Sequence, residues 1–313
     1  MAPAPPDRAG GPGPAEPEGL ERGRPLAGNT TVRTGGPAEY FLSVRDGQHV
    51  VDALRWARAH ELPVTVLGSG SNVLVADDGV GGLVVKPGRS LASIRVDGER
   101  MICGAGARLP AIAARAAREG LAGIEFGVNI PGTLGGAVRM NAGAYGGELA
   151  HVLVSALTAS ADGLVRHTPE ELGFAYRRSA LREGEIVIEG TFALRAGDPA
   201  ALKARLAELR SARHAAQPQA IQTFGSTFKN PVAVPEGAPT TAGQLLEAAG
   251  CGGLQIGHVR FSPKHANFIE NRGGASTEEV IALMAEGRRR VLEGFGVSLE
   301  PEVQTLGDVR FPW

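Results

Sequence analysis

Glu125-Phe126-Gly127-Val128-Asn129-Ile130-Pro131-Gly132-Thr133-Leu134-Gly135-Gly136-Ala137-Val138-Arg139-Met140-Asn141-Ala142-Gly143-Ala144-Tyr145-Gly146 is the stretch on which the reading of this chain turns. Glycines at 132, 135, 136, 143 and 146, with Pro131 before them, leave helix and strand propensity equally poor. It is also poor in the serine typical of disordered linkers. Such a stretch points to a loop ordered by a bound ligand. The plain alternative, a long surface loop, runs against the rarity of structureless loops of this length.

A second glycine cluster lies upstream. Val64-Thr65-Val66-Leu67 is a β-branched strand that runs straight into Gly68-Ser69-Gly70-Ser71-Asn72. Successive backbone N–H groups in such a turn form an anion-binding nest, and glycine allows a pyrophosphate to approach without a Cβ clash. The third glycine of the dinucleotide fingerprint is missing and no helix pattern follows; the Gly-Lys-Ser/Thr of a nucleotide P-loop is also absent. Alone, the cluster reads more readily as an ordinary tight turn.

The rest of the composition narrows the class. The 313 residues predict two or three domains, and 43% hydrophobic with 21% charged residues is ordinary for a globular protein. A formal net charge of −1 argues against a general nucleic-acid binder or a polybasic membrane binder. No apolar run approaches the ~20 residues of a membrane span. The two cysteines, Cys103 and Cys251, lie far apart without metal-ligand spacing and read as buried thiols in a reducing cytosol. No His/Cys/Asp cluster has metal spacing, so no metal is expected. Met1 to Pro25 holds seven prolines and five glycines and is expected to be a disordered tail.

Beyond the tail the pattern predicts an α+β protein. Strands are expected over Ala38–Val44, Val64–Leu67 and Leu83–Val85, with helices from about Gln48 to His60 and from Leu109 to Glu119. Asp97-Gly98 and Asp162-Gly163 mark two hairpins. Thr168-Pro169-Glu170-Glu171 reads as a helix-opening capping box. A strand over Glu185–Leu194 and a long helix from Asp198-Pro199 to about His214 follow. The last hundred residues predict helices from Thr241 to Ala249 and from Ser276, strands near Ile256 and over Asn267–Glu270, and a terminal strand Val297–Leu306. The expected division is 1–25 tail, 26–90 and 91–210 as two parts of a cofactor-binding region, and 211–313 as a smaller C-terminal substrate domain.

Together the two glycine blocks resemble the FAD-binding core of the vanillyl-alcohol-oxidase-like flavoproteins. That resemblance implies a two-part FAD-binding region. Gly68, Ser69, Gly70, Ser71 and Asn72 would wrap the pyrophosphate. Pro131, Gly132, Thr133, Gly135, Gly136, Asn141 and Gly143 would run along it towards the isoalloxazine. Many members attach FAD through a histidine near the first loop; none lies between His60 and His151, so non-covalent FAD is expected.

Three more segments, Tyr176-Arg177-Arg178-Ser179, Gly225-Ser226-Thr227-Phe228-Lys229-Asn230-Pro231 and Leu299-Glu300-Pro301-Glu302-Val303, resemble the UDP-N-acetylenolpyruvoylglucosamine reductase family. The likeness runs from about Asn29 to Gly307. It implies reduction of UDP-N-acetylglucosamine enolpyruvate to UDP-N-acetylmuramate with NADPH, in the cytoplasm, for peptidoglycan synthesis. A hydride from flavin N5 would leave an enediolate. Arg177 would meet its charge bidentately, and Ser226 would donate a proton to it, eased by a neighbouring cation such as Lys229. The catalytic glutamate is placed at Glu302, with Glu300 the other candidate; two apart on a strand, they would share one face. Tyr176, Arg213, Lys229, Asn230 and Lys264 are the expected substrate contacts, and the role of His265-Ala266-Asn267-Phe268 is open.

Only 48 residues separate Arg177 from Ser226, and no tyrosine follows Tyr176. This resembles the family's shorter second type, which lacks a tyrosine-bearing closing loop; movement of the C-terminal domain is expected to close the site instead. Thr223-Phe224 and His258-Val259-Arg260 depart from the small residues of the family pattern. With near-neutral charge and no heptad seam, a monomer is expected. Two other readings are a non-covalent FAD oxidase of the same superfamily and a non-catalytic flavin- or nucleotide-sugar-binding module.

Overall fold

The computed structural model describes residues 14–218 and 220–313. The first part contains β1 (Glu21–Pro25), β2 (Pro37–Val44), α1 (Gly47–Ala59), β3 (Val64–Val66), β4 (Val73–Val75) and β5 (Val80–Pro87). A four-stranded sheet has the order β1-β2-β5-β3, parallel except for β1. Leu83, Val84 and Val85 are buried on both faces of β5, as a central parallel strand requires. Asp46 caps α1 by accepting from the His49 N–H at 2.8 Å. The buried side of α1, including Val50 and Leu54, packs with Ile186 and Ile188 of the next sheet.

Residues 1–13 of the expected tail lie outside the described residues. Its last part is corrected: Glu21–Pro25 is an edge strand, registered Arg22 to Tyr40 and Arg24 to Ala38. Composition hid it because the strand buries nothing of its own. It borrows the free edge of β2, and its guanidiniums lie over the rings of Tyr40 and Phe41 at 5.4 and 5.5 Å.

The second part runs through β6 (Ile94–Asp97), β7 (Arg100–Gly104), α2 (Leu109–Arg118), β8 (Leu121–Ala122), α3 (Leu134–Arg139), β9 (Gly143–Ala144), β10 (Gly147–Glu148), β11 (Leu153–Ser160), β12 (Gly163–His167), β13 (Ile186–Ala193), β14 (Arg195–Ala196) and α4 (Pro199–Ala216). Its antiparallel sheet has the order β12-β11-β13-β7-β6. The glycine-rich stretch is less of a loop than propensity predicts: it holds a 3-10 turn at Glu125–Asn129, the short α3 and the β9-β10 ribbon. Tertiary burial of Leu134, Ala137 and Val138 overrides the weak local preference. The Thr168 box forms in both directions, at 2.8 and 3.4 Å, yet only turns follow it. Gly173, at φ +50°, takes the chain out of helical space.

The third part comprises α5 (Ala242–Ala248), β15 (Gln255–Ile256), β16 (Val259–Phe261), β17 (Ile269–Asn271), α6 (Thr277–Phe295) and β18 (Gln304–Leu306). Ser276 and Glu279 form the capping box of α6. The expected terminal strand shrinks to β18, because Pro301 interrupts it and the backbone around Pro301 pairs with residues 227–229 instead. β18 then crosses the molecule to pair in parallel with β4. Asp77 accepts from the Thr277 and Glu278 N–H groups at the start of α6 at 2.8–3.1 Å. Asn271 donates to the Val32 carbonyl at 2.8 Å, and the Thr31 hydroxyl to that of Thr223 at 2.6 Å. These bonds tie the C-terminal part to the first part, so any closing motion must carry or break them. We retain 26–90, 91–210 and 211–313 as our proposed division. Among the described residues, no helix is long and apolar enough to cross a membrane.

Candidate active site

The two glycine segments meet. The Ser69 hydroxyl donates to the Pro131 carbonyl at 3.0 Å and lies 3.0 Å from the Ser71 hydroxyl. A Cβ on Gly68 would stand 2.8 Å from Thr133 Oγ1. Gly70 sits at φ +64°, and a Cβ there would meet the Asn29 carbonyl oxygen at 2.2 Å, so only glycine fits. Among the described residues, none of the N–H groups from Gly68 to Asn72 donates to a protein acceptor. A partly buried run of free N–H groups is what an anion such as a diphosphate requires. Across from it, Gly132 and Gly136 have no protein atom within 4 Å of a would-be Cβ, which leaves room for a flat ligand.

Other members of the second segment serve the fold. The Gly135 N–H donates to the Ala105 carbonyl at 2.9 Å. Asn141, 3% exposed, spends its amide on the Ala150 N–H and the Ala175 carbonyl. Gly143 supplies a carbonyl that accepts from Arg177 Nη1 at 3.2 Å.

Arg177 occupies the turn of a tight hairpin in which Ala175 and Arg178 exchange both backbone hydrogen bonds. Its φ of +56° is unusual for a side-chain-bearing residue and aims the guanidinium inward. Arg177 Nε lies 3.4 Å from Glu302 Oε1, and Tyr176, 68% exposed, lies with its ring under the guanidinium at 5.1 Å. The Glu302 N–H donates to the Thr227 carbonyl at 2.9 Å, next to Ser226. Arginine and glutamate thus meet from distant segments, and the Ser226 segment is tied to the Glu302 backbone through Thr227. Burial raises the Glu302 carboxyl above its ordinary value, with Arg177 and Lys229 pulling the other way. The protonated form therefore persists to higher pH than for an exposed glutamate.

The idea that Glu300 and Glu302 share a face is corrected. Glu302 is 19% exposed and faces Arg177, whereas Glu300 is 76% exposed and lies 3.7 Å from Lys229 Nζ. Pro301 breaks the two-residue alternation that the expectation needed. Asn267, whose segment had no assigned role, holds Phe228 by its N–H and its carbonyl, both at 2.9 Å. It acts as a substitute strand edge that fixes the Ser226 segment, and neither spacing nor composition signals that.

The remaining expected substrate contacts are dispersed. Asn230 accepts from the Ala242 N–H at 3.0 Å, at the start of α5. Lys264 donates to the His214 carbonyl at 2.6 Å, at the end of α4. Arg213, on α4, donates to the Asn129 carbonyl at 2.6 Å, and Asn129 donates to the Tyr145 hydroxyl at 2.9 Å. Burial lowers the pKa of Arg213, and among the described residues no carboxylate pairs with it. Cys103 and Cys251 are buried free thiols, pushed up to about 12 and about 11 by burial and thus unreactive. The described residues contain no cluster of metal-ligating side chains.

A nest of free N–H groups thus lies beside a half-buried acid–arginine pair, joined to it by the Asn72 amide, which donates to the Glu302 carbonyl at 3.3 Å. A family model described as FAD binding domain matches residues 38–169, and one described as UDP-N-acetylenolpyruvoylglucosamine reductase, C-terminal domain, matches 217–306. UDP-N-acetylenolpyruvoylglucosamine reductase of Rubrobacter xylanophilus is 43% identical over 91% of this chain and 94% of its own length. The enzyme numbered 2 of that name from Symbiobacterium thermophilum is 43% identical over 95% of each. The crystal structure of UDP-N-acetylenolpyruvylglucosamine reductase from Thermus caldophilus superposes with a TM-score of 0.77 at 36% identity, covering 92% of this chain and 98% of that one. The chain belongs to the UDP-N-acetylenolpyruvoylglucosamine reductase family.

Proposed function

We propose that this protein reduces UDP-N-acetylglucosamine enolpyruvate to UDP-N-acetylmuramate, a cytoplasmic step in making peptidoglycan precursors. The observation that carries the reading is the Arg177–Glu302 pair at 3.4 Å, with Glu302 bonded through its backbone to the residue after Ser226. The free N–H run at Gly68–Asn72 would hold the FAD diphosphate, and Gly132 and Gly136 would leave space for the cofactor beside it. Bound FAD would supply the hydride, replenished from NADPH.

The side chains account for the rest of the chemistry. As the enolpyruvyl double bond is reduced, negative charge gathers on the substrate carboxylate. The Arg177 guanidinium meets that charge, its position fixed by the Gly143 carbonyl. Glu302, held towards its protonated form by burial, donates a hydrogen bond to the same oxygens instead of repelling them. The Ser226 hydroxyl gives its proton to the adjacent carbon, and Lys229 stabilises the alkoxide left behind. Arg213 and Lys264 would face the substrate diphosphate, with Tyr176 and Asn230 at its margin.

Anaerobic stopped-flow spectroscopy separates the two half-reactions. In Ser226→Ala, bleaching of the flavin by NADPH should stay within about threefold of wild type. Its return on adding the enolpyruvyl sugar nucleotide should slow by at least about 10²-fold, the scale of a lost general acid. Equal slowing of both halves would remove Ser226 as proton donor, and a wild-type protein that takes up no FAD would sink the whole reading.

A further inference from the structure

Lys86 closes β5 directly behind the first glycine loop, and its ammonium donates to the Gly68 carbonyl. No carboxylate lies within ion-pair distance of it among the described residues. A half-buried cation without a counter-charge is costly, and burial depresses its pKa. The position asks for an explanation that the site chemistry has not used.

The peptide unit supplies one. In a trans peptide the C=O and the following N–H point in opposite directions. With the Gly68 carbonyl drawn towards Lys86, the Ser69 N–H must face away from β5. The same device repeats one step on: the Thr31 N–H grips the Gly70 carbonyl at 3.0 Å, which turns the Ser71 N–H outward. Two alternate carbonyls are held from behind, and the N–H groups paired with them are presented together. Neither finds a protein acceptor.

We propose that Lys86 is a positioning residue for the cofactor: it locks the Gly68–Ser69 peptide so that the Ser69 N–H is aimed at an anionic diphosphate, and its charge is balanced by that anion. The inference rests on the FAD reading of the loop. An unliganded protein carries the lysine at a cost, and binding of the diphosphate removes that cost.

The test compares Lys86→Met, which keeps the stem and loses the donor, with Lys86→Gln, whose amide can still donate to a carbonyl. Apo-protein of each is titrated with FAD by flavin fluorescence, and its thermal midpoint is measured without FAD. Lys86→Met should bind FAD about 10- to 100-fold more weakly, the scale of one hydrogen bond to a charged group, with an apo midpoint equal to or above wild type. Lys86→Gln should recover to within about fivefold of wild type, since the donor alone restores the peptide orientation. Wild-type affinity in Lys86→Met overturns the proposal. So does a matching fall in apo stability in both variants, which would mark the lysine as part of the fold only. Should Lys86→Met not fold, a folded Lys86→Gln that loses FAD overturns it and one that keeps FAD supports it. Wild-type apo-protein that fails to bind FAD would refute the cofactor reading itself, a result separable from all of these.

Discussion

The two glycine loops resemble each other in sequence and differ in what their backbone does. In residues 68–72 the carbonyls of Gly68 and Gly70 are held by Lys86 and Thr31 while the N–H groups remain free. In residues 131–143 the backbone is stitched into the protein: Leu134 and Gly135 donate to Ala107 and Ala105, and Gly143 accepts from Arg177. On the proposed reading the first loop is prepared for a ligand, and the second is mainly bound into the fold, with Gly132 and Gly136 left open beside the cofactor. Glycine enrichment therefore has two physical causes here. A count of glycines does not separate them, but the destination of each N–H does.

Removing the guanidinium that joins the second loop to the reaction should have the largest effect. Arg177→Ala is expected to raise the barrier of substrate reduction by about 3–4 kcal/mol, the scale of one preorganised charge-stabilising donor. Flavin reduction by NADPH should be little changed; turnover near wild type would detach Arg177 from the chemistry. Next comes the first loop. Gly70→Ala forces a side chain into left-handed space and against the Asn29 carbonyl, and should cost about 2–4 kcal/mol in urea unfolding of the apo-protein. An unchanged midpoint would show that this loop adapts freely. The smallest effect on the fold sharpens the contrast. Gly136→Ala meets no protein atom and lies within α3, so apo stability should stay level or rise by up to about 1 kcal/mol, while FAD affinity falls. Loss of stability without loss of FAD affinity would make Gly136 part of the packing that holds the rest of its loop, and not part of the cofactor space.

Much of the site could be read from local pattern. The strand running into Gly68, the capping box at Ser276 and the Asp97-Gly98 and Asp162-Gly163 hairpins are set by residues close in sequence, and the structure has them. Most of what escaped reading depends on partners far along the chain, and the rest on a glycine or proline whose local effect the pattern did not weigh. Glu21–Pro25 is a strand only because β2 offers an edge. Thr168 has its cap but no helix, since Gly173 intervenes. Glu300 and Glu302 diverge because Pro301 and the Thr227–Lys229 backbone set their directions. Lys86 and Asn267 act on backbone groups of residues 18 and 39 positions away, and no motif announces such a bond.

The pairing of β18 with β4 has a consequence for how the protein comes into being. β4 begins at Val73, immediately after the first glycine loop, and among the described residues its only strand partner is Gln304–Leu306. A chain growing from its N-terminus makes that loop well before the residues that complete its support. More than two hundred residues separate the two strands, so their union waits on the closure of a long stretch of polypeptide. The Asn72 carbonyl, which accepts from the Gln304 N–H at 3.0 Å, couples the loop directly to that pairing. On the proposed reading, cofactor loading follows that pairing, and a chain interrupted before Gln304 would leave the first glycine loop without this backbone support.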